Sequence, residues 1–115
     1  MTAAAERLKF DTLDVVIDED VAVVRLNRPQ AANSINEIML DELHEVLDVL
    51  GDSSVRVIVL RGDERAFCTG MDFSAYPTGM ADLGQQDSDS AAHISTMTRH
   101  YMDLLKKVSL HRCVV

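Results

Sequence analysis

The chain has 115 residues, with 11 lysines and arginines against 19 aspartates and glutamates, and a formal net charge of −8. This acidic balance argues against nucleic acid or an anionic membrane surface as a partner, since both need a basic patch. No apolar run approaches the roughly 18 residues of a membrane span, and MTAAAER at the start lacks the basic region and apolar stretch of a secretory signal. We therefore expect a small soluble domain in the cytoplasm.

The cysteine and histidine content predicts neither a metal site nor a disulfide framework. Cys68 and Cys113 form no Cys-x-x-Cys pair, and the four histidines are scattered without ligand spacing. Such usage fits a reducing compartment. Cys68 has apolar neighbours, which favours packing over a nucleophilic role. We expect the histidines on the surface or on helix faces.

The first elements of the chain read as a loose N-terminus, residues 1–12, followed by a β-hairpin. Two β-branched runs, Leu13 to Asp18 and Val21 to Leu26, are separated by two residues, which is the pattern of a short hairpin. Pro29 ends the second strand, because proline cannot donate to a ladder of hydrogen bonds. Residues 13–115 read as a single α/β domain that is incomplete.

A β-α-β unit is predicted next. A helix over 34–50 begins with a capping box, Ser34 with Glu37, and is expected to stop at Gly51. The strand over 55–61 is nearly continuous valine, isoleucine and leucine, which is typical of a strand covered on both faces. One apolar face of the helix is formed by Met39, Leu43, Val46, Leu47 and Leu50.

The second half of the chain contains three predicted segments. Pro77 to Asp89 is rich in turn and polar residues and reads as a mobile loop. Residues 90–107 return to helical spacing, and His111 to Val115 reads as the start of another strand. The helix presents an apolar face made of Ile94, Met97, Tyr101, Leu104 and Leu105.

A glycine turn after the 55–61 strand is the first candidate for chemistry. Gly70 stands directly before Met71 and Asp72, and glycine tolerates a backbone angle that aims N–H groups outward as donors. Asp72 is placed to cap a helix that follows. From these residues alone, an ordinary glycine turn with a capping aspartate is the better explanation of the pattern.

Two motifs around the β-α-β unit indicate a family. One is Leu26-Asn27-Arg28-Pro29 followed by alanine and Asn33, and the other is Gly62 with Ala66-Phe67-x-x-Gly70-x-Asp72. Over about residues 13–76 the sequence resembles the crotonase superfamily, the enoyl-CoA hydratase/isomerase family. The fold class implied is α/β, specifically the N-terminal half of a crotonase-like ββα superhelix.

The resemblance implies binding of acyl-CoA thioesters, in fatty acid metabolism, by a lyase or an isomerase. Members of the family hold the thioester oxygen between two backbone N–H groups, where fixed dipoles stabilise developing charge. The resemblance assigns the Met71 N–H as the catalytic donor. It implies neither a metal nor a cofactor beyond the coenzyme A of the substrate. The substrate-binding residues that it implies are Arg28, Gln30, Ala31, Ala66, Cys68, Gly70, Met71, Asp72, Phe73 and Ser74.

The sequence departs from the family pattern in its cations and in its extent. Ser74 stands where many relatives have a lysine, and no lysine or arginine lies between Arg65 and Arg99. Phosphate binding then falls to Arg28, Arg65 or another chain. The family's second donor and its acid/base groups come after the position of Val115, and loss of one donor alone costs about 10²–10³ in rate. We expect residues 1–115 to be nearly inactive alone.

Three readings remain open for the assembly and role of the chain. It is the N-terminal part of an acyl-CoA enzyme, either cut short or completed by a complementary C-terminal polypeptide, and whether it forms a homo-oligomer (a trimer or hexamer in the family) is open. It is instead a non-catalytic α/β interaction domain with an acidic surface. In the third reading it folds poorly and associates through apolar edges. The acyl-chain preference and the choice between hydratase and isomerase chemistry are also open.

Overall fold

A computed structural model describes residues 5–74 and 88–115, which form a mixed α/β fold around a four-stranded sheet. The strands are β1 (Glu6–Lys9), β2 (Leu13–Asp18), β3 (Val21–Leu26) and β4 (Val57–Arg61), in the spatial order β1-β2-β3-β4. The first two neighbouring pairs are antiparallel, and β3 with β4 is parallel. The predicted hairpin and β-α-β unit are therefore confirmed.

The N-terminus differs from the sequence expectation. Residues 6–9 form β1, which pairs with β2, so the expectation of a loose segment over 1–12 is wrong for these residues. The connection that follows is tied to α1 (Glu37–Gly51), because the Glu42 carboxylate accepts from the backbone N–H groups of Asp11 and Thr12, each at 2.8 Å. A partner 30 residues away is not visible in local sequence patterns.

Helix α1 carries the apolar face that its sequence predicts, but its two ends differ from the prediction. Asn36, and not Ser34, is the N-cap, and its side chain accepts from the Met39 N–H at 2.9 Å. Gly51 is the last helical residue and has no left-handed backbone, so it is not the predicted cap. The buried side of the helix, including Leu40 beside the predicted positions, comprises Met39, Leu40, Leu43, Val46, Leu47 and Leu50.

The sheet packs one face against α1. Alternate residues of each strand point to that face, which explains why β2 and β3 bury every second side chain. In β4, Ile58 is buried but Val59 is 41% exposed, so the prediction that this strand is covered on both faces is wrong for the described residues. The buried side chains of the sheet are Leu13, Val15, Ala22, Val24, Leu26 and Ile58.

Helix α2 (Ser88–Leu110) packs on α1 and is longer than the predicted 90–107 helix. Met97 and Leu104 are buried as predicted, whereas Leu105 is exposed. After the helix, Val114 forms a parallel bridge with Val57 at the edge of β4, where a further strand was predicted. The predicted mobile loop falls largely within 75–87, outside the described residues.

The C-terminal segment is fixed to the end of α1 by Arg112. Its guanidinium donates to the carbonyl of Gly51 at 2.7 Å and to that of Ser53. These carbonyls lie at or just beyond the C-terminus of the helix, where cations are favoured by the helix dipole. The contact positions Val114 against β4.

Candidate functional site

Two segments distant in sequence meet beyond the carboxyl ends of β3 and β4. Because these strands are parallel, the segments that follow them leave the sheet at the same edge. The Ile35 N–H donates to the Gly70 carbonyl, and the Asp72 N–H donates to the Ile35 carbonyl, both at 2.8 Å. The Thr69 hydroxyl donates to the Ala32 carbonyl at 3.1 Å. The two motifs of the sequence analysis thus form one unit.

Asn33 links the two segments through its side chain. It is fully buried, its Oδ1 accepts from the Arg28 N–H at 2.8 Å, and its Nδ2 donates to the Ala66 carbonyl at 3.1 Å. Its φ of 56° is left-handed, a region that asparagine adopts more readily than most residues. Asn33 belongs to the first family motif, but the motif does not indicate its role in the site. The sequence feature that could have indicated this role is the position of the asparagine in a turn directly before a helix.

The Arg28 side chain is committed to groups of this protein. Its Nη1 donates to the Ser34 carbonyl at 2.5 Å, and its Nη2 lies 3.1 Å from Oδ2 of Asp72. Both side chains of the ion pair are largely buried, with 14% and 13% of their surface exposed. The guanidinium therefore joins the two segments, an arrangement that leaves little of it for a phosphate in solution.

The turn between β4 and Ala66 requires a glycine at position 62. A Cβ there would lie 2.2 Å from the Ala66 carbonyl oxygen and 2.4 Å from the Cα of Phe67. Within the turn, Oδ1 of Asp63 accepts from the N–H groups of Arg65 and Ala66. These hydrogen bonds lower the pKa of the Asp63 carboxyl. The turn is therefore held by the Asp63 side chain and has no room for a Cβ at position 62.

The Met71 N–H is directed away from the segment that Met71 pairs with. Ile35 bonds to the residues on either side of Met71, and in such a parallel bridge the N–H of the central residue points to the opposite side. Among the described residues this N–H has no acceptor. Gly70, with φ of 102°, makes the turn that aims it.

Asp72 is held as a carboxylate. Its pKa falls from the ordinary 3.8 to about 2, mainly because the Ser74 hydroxyl and N–H donate to it and further because Arg28 lies beside it. Oδ1 accepts from the Ser74 N–H at 2.8 Å. The helix that Asp72 was expected to cap would begin in 75–87, outside the described residues.

An apolar cavity of about 160 Å³ lies between the two helices and the ends of β3 and β4. Ile35 and Cys68, which belong to the two joined segments, line one side of it. Cys68 packs against the core, as predicted. The remaining lining residues are Leu26, Leu43, Leu47, Leu60, Phe67, Tyr101, Leu104, Leu105 and Val108.

The other expected substrate-binding residues lie in the same two segments. Gln30 is exposed and Ala31 half-buried in a single turn of 3-10 helix at Pro29–Ala31. Phe73 is 46% exposed, and Ser74 is exposed at the end of the described segment. The arrangement brings every predicted residue to one edge of the sheet, while Arg28 and Asp72 turn their side chains toward each other.

The histidines lie elsewhere, along the contact between α1 and α2 and just beyond it. The rings of His44 and His100 stack with centroids 4.1 Å apart, His93 pairs with Glu37, and Nε2 of His111 lies 2.8 Å from the Leu47 carbonyl. Within residues 5–74 and 88–115, no group of three potential metal ligands is close enough to hold an ion. No helix of that part is long and apolar enough for a membrane span.

The sequence matches the family model described as enoyl-CoA hydratase/isomerase over residues 16–108, and the chain therefore belongs to this family. It is similar in structure to Pseudomonas aeruginosa AtuE, with a TM-score of 0.74 and 31% identity, over 90% of this chain and 38% of AtuE. An enoyl-CoA hydratase of Mycobacterium smegmatis gives a TM-score of 0.73 at 27% identity, over 89% of this chain and 37% of that one.

A curated relative gives the same result. "Probable enoyl-CoA hydratase echA6" of Mycobacterium tuberculosis is 37% identical over 71 residues, which are 56% of this chain and 29% of the relative. These matches confirm the crotonase resemblance and the partial crotonase fold. The chain spans about a third of the length of the proteins that it matches.

Proposed function

We propose that this chain forms one side of an acyl-CoA thioester site, in which the Met71 N–H donates to the thioester oxygen. The supporting observation is the direction of that N–H, which points away from Ile35 and has no acceptor among the described residues. Both neighbouring peptide groups are bonded to Ile35, so the donor is fixed before any ligand arrives. A fixed donor stabilises developing negative charge without reorganisation.

The apolar cavity is the proposed location of the acyl chain. It borders Ile35, which donates to the Gly70 carbonyl, and Cys68, whose Sγ lies 3.4 Å from the Gly70 nitrogen. Burial of an alkyl chain there contributes about 0.8 kcal/mol for each CH₂ group. A volume of about 160 Å³ fits a short chain better than a long one.

The coenzyme A portion is proposed to follow the main chain of Ala66, Cys68, Gly70 and Phe73, with Gln30 and Ala31 beside it. Arg65 is exposed and has no ion pair among the described residues, so it is the proposed phosphate contact of this region. Arg28 instead pairs with Asp72 and so positions the turn at Gly70 that carries the Met71 N–H. The proposal includes no metal and no further cofactor.

Residues 1–115 by themselves are proposed to bind a ligand without appreciable turnover. They contain one assigned backbone donor and no assigned acid or base, and each is worth orders of magnitude in rate. A complementary C-terminal polypeptide would supply the rest. Lyase or isomerase chemistry in cytoplasmic fatty acid metabolism is the corresponding proposal for the complete site.

The test is an NMR titration of protein labelled with ¹⁵N-methionine. The Met71→Leu variant identifies the Met71 resonance by its loss. We expect this amide to shift downfield with acetoacetyl-CoA, but not with an S-alkyl-CoA thioether that lacks the carbonyl. Equal shifts with both ligands would contradict the donor assignment.

Calorimetry separates this proposal from the interaction-domain alternative. Measurable heat with acetoacetyl-CoA supports an acyl-CoA site. Absence of binding, both for the chain alone and with a complementary C-terminal polypeptide added, favours the non-catalytic domain.

A further inference from the structure

A cationic groove lies on the sheet face opposite α1, away from the apolar core. It has a volume of about 360 Å³ and is lined by side chains of Arg7, Lys9, Arg25 and Arg61, together with one carboxylate, Asp14. Four cations against one acid are unexpected in a chain of net charge −8. The groove is independent of the proposed acyl-CoA function.

The strand register places the charges of the groove in a row. Lys9 pairs with Asp14, Asp14 with Arg25, and Arg25 with Arg61, so one cross-strand row traverses all four strands. Neighbouring strands are about 4.8 Å apart. Arg25 and Arg61 are thus like charges side by side, an arrangement that destabilises a sheet.

Only one cation of the groove has an acidic partner among the described residues. Nη2 of Arg25 lies 2.5 Å from Oδ2 of Asp14. Arg7, Lys9 and Arg61 form no ion pair within residues 5–74 and 88–115, and all three are exposed. Asp63, which also lies in the field of Arg25, does not line the groove. The groove keeps a net charge of +3.

The row next to the charges is mostly apolar. Arg7, Val16, Val23 and Val59 are paired in register across the four strands. Val16 and Val23 form part of the lining. The groove therefore offers an apolar strip beside a cationic row, and its volume is that of a small-molecule site.

We propose that this groove binds a small organic phosphate monoester, with the phosphate between Arg25 and Arg61 and the apolar part on the valines. Guanidinium groups match phosphate oxygens with two parallel hydrogen bonds. At pH 7 a monoester carries about −1.5 to −2 charges, which offsets a net charge of +3 better than a monocarboxylate does. The phosphate also relieves the repulsion between the two arginines.

The test is calorimetric titration of the chain with hexyl phosphate, hexanoate and inorganic phosphate. We expect hexyl phosphate to bind about tenfold more tightly than either of the others. Hexanoate lacks the phosphate group, and inorganic phosphate lacks the alkyl chain. Arg61→Gln and Lys9→Gln should each weaken hexyl phosphate about tenfold. Arg56→Gln is the matched control, because Arg56 is exposed beside the same strand but does not line the groove.

Three outcomes would overturn the proposal. The first is absence of binding at millimolar hexyl phosphate. The second is equal affinity in Arg61→Gln, Lys9→Gln and the wild type, with circular dichroism showing all three folded. The third is displacement of hexyl phosphate by coenzyme A, whose own phosphate monoester would then account for the groove. Failure of the Met71 titration would leave these results unaffected.

Discussion

The guanidinium of Arg28 lies 3.1 Å from the carboxylate of Asp72, although 44 residues of sequence separate them. This pair joins the segment after β3 to the segment after β4. The hydrogen bonds of Ile35 with Gly70 and Asp72 connect the same two segments. An arginine that the sequence offers as a phosphate contact therefore positions the turn that carries Met71.

Arg28→Gln is expected to destabilise the fold, whereas Arg65→Gln is not. Loss of Arg28 leaves a largely buried carboxylate without its cation, which costs about 1–3 kcal/mol. Arg65 is exposed, so its substitution should change stability by less than about 0.5 kcal/mol and weaken coenzyme A binding instead. Urea unfolding and calorimetry distinguish the two effects. A stable Arg28→Gln protein with weaker coenzyme A binding would restore Arg28 as a ligand contact.

Removal of the Met71 N–H should weaken ligand binding. Met71→Pro eliminates a donor that has no acceptor among the described residues, while Met71→Leu keeps it. We expect acetoacetyl-CoA affinity to fall about tenfold in the proline variant, which corresponds to one hydrogen bond of about 1.4 kcal/mol. Unchanged affinity in a folded Met71→Pro protein would exclude this donor.

Asn33→Ala should be among the most destabilising polar substitutions in the chain. It leaves two part-buried groups, the Arg28 N–H and the Ala66 carbonyl, without their side-chain partner, at a cost of about 3 kcal/mol. Asn27→Ala is the control, since it loses one half-buried hydrogen bond, and should cost about 1 kcal/mol. Urea midpoints measure both, and equal losses would argue against a central role for Asn33.

Three glycine-to-alanine substitutions should have three different results. Gly62→Ala introduces a backbone clash and should cost about 3 kcal/mol of stability. In Gly70→Ala the new Cβ would have open space, but alanine rarely adopts the φ of 102° found at this position. The substitution should therefore cost about 1–2 kcal/mol of stability and redirect the Met71 N–H. Gly51→Ala has ordinary contacts and helical geometry, and should stay within about 0.5 kcal/mol of the wild type. Thermal unfolding ranks the three.

Asp72 makes stability depend on pH at the acidic end. Its pKa of about 2 in the folded protein is below the ordinary 3.8, so the unfolded chain takes up the proton first as pH falls. The stabilisation, about 2 kcal/mol, is present above pH 4 and is lost toward pH 2. The difference in unfolding free energy between wild type and Asp72→Asn should narrow between pH 6 and pH 3. A constant difference would show that the carboxylate is not stabilised by its neighbours.

The sequence by itself determined the elements whose signal is local. Alternating and helical periodicity marked the hairpin and both helices, because such patterns record which side of each element is buried. The two motifs indicated the family and identified the segments after β3 and β4 as the candidate site. The pattern also predicts the strand over 55–61, but its outer face is exposed and not buried, because a run of valines does not show what lies on each side.

Tertiary structure alone decided which side chains contact one another across the elements of the fold. Asn36 displaced Ser34 as the cap, Glu42 ordered the N-terminus, and Arg28 turned to Asp72. The direction of the Met71 N–H and the row of cations across the sheet likewise follow from strand register. The physical reason is common to all of them: each depends on a partner contributed by another element, and the crossover that makes β3 and β4 parallel determines which residues become neighbours.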